Sequence, residues 1–358
     1  MDFQLTVEQG ELRDGMRALL AGRFGPERLR AAVAAPALDR ALWRELGAAG
    51  LFALRLPESG GGVGLGLPEA ALLFEETGRA LLPGPLVACH LLAGHLAGVA
   101  TGDRIVGLTE SPGGPGLWEH PDDCTELAVL PGAGRGGADA VRGGPGAGLD
   151  GADAVRRGPG AAGGAGRAAP GAHAAPVRVL RPATGAGGPR PASVDPLTPL
   201  APVPAGVGEP LPGPAVDVRR MRREAALLTA AQQLGSAART VEKAVAYARV
   251  REQFGAPIGA FQAVKHLCAG MLVRAETARA AVYAAAVTES EDETYAAKLL
   301  ADDAAVRNAR DCLQVHGGMG FTWEAEVHLH LKRAWWRAEC WGDARETEER
   351  LAAGLLTG

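Results

Sequence analysis

From Glu119 to Ala246 the chain has no aromatic residue, and 34 of the 60 residues from Pro131 to Arg190 are Gly or Ala. Strands draw stability from β-branched and aromatic side chains packing across a sheet, and few are available here. A unit of the form ADAVRxGPG occurs twice, at Ala138–Gly146 and Ala152–Gly160. Such low complexity buries too little apolar area to offset chain entropy. Residues 104–216 therefore read as a small, poorly formed β domain, with strands expected at Arg104–Thr109 and Glu126–Leu130. Gly132-Ala133-Gly134-Arg135-Gly136-Gly137 has the spacing of a dinucleotide-binding turn. Gly143-Gly144-Pro145 cuts off the helix such a turn must open, so the match is read as chance.

The flanking segments have the opposite character. In residues 1–103, Ala41, Leu42, Leu46, Ala49 and Leu51 form one helical stripe, and Ala71, Phe74, Gly78 and Leu81 repeat it between Pro68 and Leu82. A glycine-rich turn from Pro57 to Gly66 separates the two, and Pro83-Gly84-Pro85 stops the second. In residues 217–358 a helix is expected from Val218, through Leu227, Leu228, Ala231, Leu234, Ala238, Val241 and Val245, to Phe254-Gly255-Ala256-Pro257. Others follow from about Phe261 to Val287, from Glu293 to Val315, and from Trp323 to about Ala353. Four long helices with short connections pack most simply as an antiparallel bundle. The fold class is thus mainly α with a small β middle domain.

A formal net charge of −4 and a pI near 6.1 exclude the strongly basic footprint of a nucleic-acid binder. No apolar run approaches the ~18 residues that span a bilayer, and Met1–Ala21 carries polar and acidic residues unlike an export signal. Five cysteines without a CxxC pair argue against disulfides and zinc. His328 and His330 lie two apart, on different helix faces, so no metal is expected. Trp335, Trp336 and Trp341 are expected to pack the last helix onto the bundle or a dimer mate. These features suit a cytoplasmic enzyme.

Two strings carry more specific information. One is Arg251-Glu252-Gln253-Phe254-Gly255-Ala256-Pro257-Ile258-Gly259, followed by Phe261-Gln262-Ala263-Val264-Lys265-His266. The other is Gln314-Val315-His316-Gly317-Gly318-Met319-Gly320-Phe321-Thr322-Trp323-Glu324. Together they resemble the C-terminal bundle of the acyl-CoA dehydrogenase family. Leu42-Trp43-Arg44-Glu45-Leu46-Gly47, Leu56-Pro57-Glu58 and Glu75-Glu76-Thr77-Gly78-Arg79-Ala80-Leu81 are similar to its N-terminal part.

The resemblance implies a homodimer or tetramer, or a hetero-oligomer with a related subunit, with FAD held between chains. It implies oxidation of the Cα–Cβ bond of an acyl-CoA or carrier-bound thioester. A carboxylate takes the α-proton, FAD accepts hydride, and an electron-accepting flavoprotein reoxidises it. By this resemblance Arg251 meets the FAD diphosphate, Phe254 lies beside the adenosine half, and Gln314, Gly317 and Gly318 approach a phosphate or ribose. The same residues also suit plainer roles: a helix C-terminal cation, a core anchor, a solvated helix residue and a helix stop. Leu108-Thr109-Glu110-Ser111-Pro112-Gly113 resembles the start of the family's flavin-contacting loop, which makes Thr109 and Glu110 further cofactor candidates. No counterpart of its Trp-bearing strand is found.

The family's base lies about 27 residues beyond the glutamine of Gln-x-x-Gly-Gly, which here is Trp341. In a minority of members it lies about 30 residues before the Gly of Phe-Gly, which here is Ala225. The nearest carboxylates, Asp343 and Glu224, are the catalytic candidates. Glu224 also suits a solvated partner for Arg220 or Arg223, and Asp343 a surface charge near Arg345. A chain without a base would be a silent subunit completing the flavin site of an active partner. Either reading requires Arg251 and Gln314 to face outward.

Overall fold

A computed structural model of the chain describes residues 4–110, 116–131, 174–181, 191–203, 210–211 and 213–357. The ADAVR repeats, the glycine run at 132–137 and Ser111-Pro112-Gly113 lie outside the described residues. The N-terminal part contains α1 (Val7–Arg23), α2 (Pro26–Ala34), α3 (Arg40–Ala48), α4 (Leu67–Arg79) and α5 (Leu86–Leu92). Helix starts follow local chemistry. The Thr6 hydroxyl accepts from the Gln9 N–H while the Gln9 side chain returns to the Thr6 N–H. The Asp39 carboxylate accepts from Ala41 and Leu42.

The middle part holds β1 (Val106–Glu110), β2 (Leu117–Glu119), β3 (Glu126–Leu130), β4 (Ala174–Pro176), β5 (Arg178–Leu180), β6 (Leu200–Pro202), β7 (Pro210–Leu211) and β8 (Ala215–Asp217). One sheet runs β1-β3-β5-β7, with β1 and β3 parallel and the other pairs antiparallel. The pairs β2/β6 and β4/β8 are separate and antiparallel. Only β1 and β3 reach five residues among the described strands, as expected where cross-strand aromatic pairs are lacking.

The C-terminal part contains α6 (Val218–Val250), the hairpin β9 (Glu252–Gln253) and β10 (Ala256–Pro257), α7 (Gln262–Thr288), α8 (Glu291–His316), α9 (Val327–Glu339) and α10 (Ala344–Thr357). The expected fourth helix is two helices. Trp341 and Gly342 between them take positive φ values of 63° and 107°, which no helix tolerates. No described helix is long and apolar enough to cross a membrane.

Helix α6 is the centre of the molecule and packs on α4, α5, α7, α8 and α9. It is buried on every side from Glu224 to Ala237, not along a single apolar face. Its contact with α4 is made backbone to backbone. A Cβ on Gly78 would stand 2.0 Å from the Gln232 carbonyl oxygen, and one on Gly235 would stand 1.8 Å from that of Glu75. Polar groups tie α4 to two further helices. Glu75 of α4 accepts from Tyr283 (2.7 Å) and Arg279 (3.0 Å) of α7, while Glu76 accepts both N–H groups of the Arg17 fork from α1.

Gly78→Ala and Gly235→Ala should each lower stability by about 2–3 kcal/mol in thermal denaturation, because the added methyl has no flexible neighbour to displace. Helix propensity alone predicts the opposite sign, a gain of about 1 kcal/mol. Unchanged or raised melting temperatures would contradict the backbone contact.

Candidate functional site

Between α5, the β unit, α6 and α9 lies a cavity of about 320 Å³, within the range of small-molecule sites. Thr109, Trp118, Thr229, Gln232, Arg337 and Trp341 are among its walls. Thr229 and Gln232 follow Ala225 on α6 at helical spacings of four and seven, so the three share one face. Trp336 also lines the cavity, and its indole N–H donates to Glu119 of β2, tying α9 to the β unit. The three C-terminal tryptophans therefore divide. Trp335 is 39% exposed, while Trp336 and Trp341 wall the cavity instead of packing the bundle as a group.

The cavity's electrostatics centre on two buried guanidinium groups one helical turn apart, Arg333 and Arg337. Arg333 donates through Nε to the buried carboxylate of Asp195, and through Nη1 to the Leu82 carbonyl at 3.2 Å. For Arg337 a single long bond is found, from Nη1 to the Gln232 carbonyl at 3.5 Å. Burial, and then the neighbouring Arg333, push the Arg337 guanidinium down to about 9, with Glu119 and Asp195 acting in the other direction. It remains a cation at neutral pH. Among the described residues, the buried Trp118 indole N–H and Arg333 Nη2 have no acceptor.

Thr109 is in the cavity wall, but its hydroxyl is occupied by the Leu117 carbonyl at 2.8 Å. Glu110 beside it pairs with Arg222. Trp341 stands at the wall in the position where the family pattern places a carboxylate. Asp343, two residues on, caps a helix instead, its Oδ1 accepting from the Glu346 N–H at 2.8 Å in the first turn of α10.

Glu224 belongs to a second cavity, of about 340 Å³, beside His90 and Arg220. Arg55 grips its carboxylate through both terminal nitrogens at 2.8 Å, and Arg220 adds a third bond at 2.7 Å. Burial alone would raise the carboxyl, but Arg55 and then Arg220 outweigh it and hold it at about 2. It is a buried ion-pair partner, not the solvated one expected, and a poor proton acceptor. His90 donates through Nδ1 to the Leu51 carbonyl at 2.8 Å, and burial brings it down to about 4.

The remaining candidates gather at one end of the bundle. Tyr247 and His316 stack with centroids 4.2 Å apart, joining the last turn of α6 to the last turn of α8. Arg251, Phe254, Gln314, Gly317 and Gly318 are all exposed there. The Arg251 guanidinium pairs with no carboxylate among the described residues. Phe254 and Gly255 both take positive φ values (54° and 77°), as a two-residue hairpin turn between β9 and β10 requires, and this leaves the phenyl ring 94% exposed. Nothing lies within 4 Å of a Cβ built on Gly317 or Gly318. The structure thus brings five candidates together and keeps Thr109, Glu224 and Asp343 apart from them and from one another. His316, His328 and His330 also separate: His330 meets Ser236 at 2.8 Å and His328 meets Trp323 edge-on. Among the described residues no group of three His, Cys, Asp or Glu could hold a metal.

Sequence reasoning missed Thr229, Gln232, Arg333 and Arg337. A signal was present, since Arg333 and Arg337 share a helical face with His330 and Ala334, all buried.

Comparison with known proteins agrees with this architecture. The family model for the acyl-CoA dehydrogenase N-terminal domain matches residues 6–102, and that for the C-terminal domain matches residues 217–342. The chain is 35% identical over 355 residues to the acyl-CoA dehydrogenase IpdE2 of Mycobacterium tuberculosis, covering 96% of each chain. Two solved structures share the fold along its whole length. The ChsE4–ChsE5 complex of Mycobacterium tuberculosis superposes with a TM-score of 0.74 at 22% identity, covering 100% of both chains. PigA with FAD and proline gives 0.76 at 18%, again covering 100% of both. The chain belongs to the acyl-CoA dehydrogenase family.

Proposed function

We propose that this chain serves the flavin-dependent α,β-dehydrogenation of an acyl-CoA or carrier-bound acyl thioester. The carrying observation is the outward display of Arg251, Phe254, Gln314, Gly317 and Gly318 on one bundle end, where a second chain can share them. We also take the chain as three units, 1–103, 104–216 and 217–358.

FAD is the cofactor that belongs with this family, and the residues fit it. The unpaired Arg251 fork suits a diphosphate, the bare Phe254 ring suits a face of the adenosine half, and the open glycines leave room for close approach to backbone. The unpartnered Trp118 N–H in the cavity suits an acceptor-rich ring. When bound, FAD supplies the hydride acceptor. The protein's share is to orient and to exclude water. Thr109 and Trp118 form one wall, and Thr229 and Gln232 face them from α6.

A second reading has its own observation. Trp341 stands where the base is expected, Glu224 is gripped by two arginines in another cavity, and Asp343 caps α10. Neither carboxylate lines the first cavity, so this chain fits a subunit that lends FAD contacts to an active partner. Without a positioned base, about 10²–10⁴ in rate is forfeited.

The two readings separate in one experiment. Purified full chain is loaded with FAD and mixed anaerobically with acyl-CoA while absorbance near ~450 nm is followed. Bleaching by the chain alone supports the first reading, and bleaching only with a related subunit supports the second. A chain that stays colourless alone contradicts the first reading, and one that takes up no added FAD even with a related subunit contradicts both.

Glu224 carries a separate expectation. Its carboxyl lies lower in the folded protein than in the unfolded chain, so its stabilisation is complete above pH 4.5 and is lost as pH falls towards about 2. Glu224→Gln should remove that part of the acid sensitivity. It should also cost about 2–3 kcal/mol at pH 7, because the partly buried Arg55 loses its carboxylate partner. Urea unfolding across pH tests this, and a variant of wild-type stability that has lost only turnover would restore Glu224 as the base.

A further inference from the structure

The Arg337 side chain has hydrogen-bonding capacity to spare. It is buried, it lines the first cavity, and its one bond, to the Gln232 carbonyl, is at the 3.5 Å limit of hydrogen bonding. Its other N–H groups reach no acceptor among the described residues. Every nearby carboxylate is engaged or lies at the rim. Asp195 holds Arg333, Glu119 accepts from Trp336, Glu110 holds Arg222, and Glu339 is exposed. On α6 beside it, Thr229 is buried with no side-chain partner found, and the Gln232 side chain uses only its amide N–H, on Thr77. The cavity therefore presents a guanidinium, a hydroxyl and an amide oxygen, all in its walls and none fully bonded.

A plain alkyl chain entering this cavity would displace water from these groups and return nothing. A desolvated donor without a partner is penalised, and a charged donor more so. An oxygen acceptor at the same place would give Arg337 a charge-assisted hydrogen bond of ordinary length in low dielectric. We propose that Arg337, with Thr229 and Gln232 beside it, selects an acyl group bearing a distal oxygen acceptor, a carboxylate or a ketone, over an unsubstituted alkyl chain. This rests on the acyl-thioester reading and names its substrate class.

The test is equilibrium binding by calorimetry to FAD-loaded full chain, together with any subunit that co-purifies. The probes are three thioesters of equal length, octanoyl-CoA, 7-oxooctanoyl-CoA and suberyl-CoA. Wild type should bind at least one oxygenated thioester about tenfold or more tighter than octanoyl-CoA. The identity of the favoured probe tells ketone from carboxylate. Arg337→Met should erase the preference, with octanoyl-CoA bound at least as tightly as by wild type and FAD content unchanged. Should that variant fail to fold, Arg337→Lys and Thr229→Val should each narrow the preference without removing it.

Equal binding of all three probes by wild type overturns the inference and leaves the thioester reading intact. An Arg337→Met variant that weakens all three alike also overturns it, since Arg337 would then read the thioester or FAD, which the probes share. Binding of none removes the thioester reading as well.

Discussion

Helices α4 and α6 meet at Gly78 and Gly235 with no side chain between them, each glycine set against a carbonyl of the opposite helix. A backbone contact of this kind cannot be relaxed by changing rotamers, so it fixes both the rotation and the height of α6. The other functional positions follow from that placement. Thr229 and Gln232 are set towards one cavity, Glu224 towards another, and Tyr247 and Arg251 arrive at the outer end of the bundle. The cost of glycine within two helices is accepted because alanine would push the helices apart.

Charges are used in two different ways around this frame. Glu75 and Glu76, adjacent on α4, are consumed in clamping α7 and α1, and Glu224 is consumed by Arg55 and Arg220. These buried carboxylates have partners of good geometry and are structural. Arg337 lacks such a partner, and the outer Arg251 has none among the described residues. Groups left incompletely bonded mark where a ligand completes the structure. The chain displays an unpaired arginine at the bundle end and encloses a shaped cavity, yet places tryptophan at the wall position expected of a base.

Local chemistry made much of the fold legible from sequence. Apolar spacing located α3, α4 and the bundle helices, and Gly317 ends α8 as expected. Strand β3 falls at Glu126–Leu130, where a short apolar run stood out. The break after Glu339 was not legible. It depends on Trp341 in a left-handed conformation beside a single glycine, and no proline announces it. The outward bundle end was readable because its residues are set by helix ends and a two-residue turn. The cavity was not, because Arg333 finds Asp195 across 138 residues of chain, and such long-range pairing leaves no periodicity behind.

On the proposed reading, these features are tied together by a flavin site shared between chains on the Arg251 end of the bundle. The most direct measurement is FAD affinity by absorbance titration, with oligomeric state followed by sedimentation, for the wild-type full chain and for Arg251→Ala. The result expected is an oligomer that binds FAD, with affinity weakened about tenfold or more once the guanidinium is removed. A monomer that holds FAD fully, with affinity unchanged by Arg251→Ala, would place the cofactor elsewhere and contradict it.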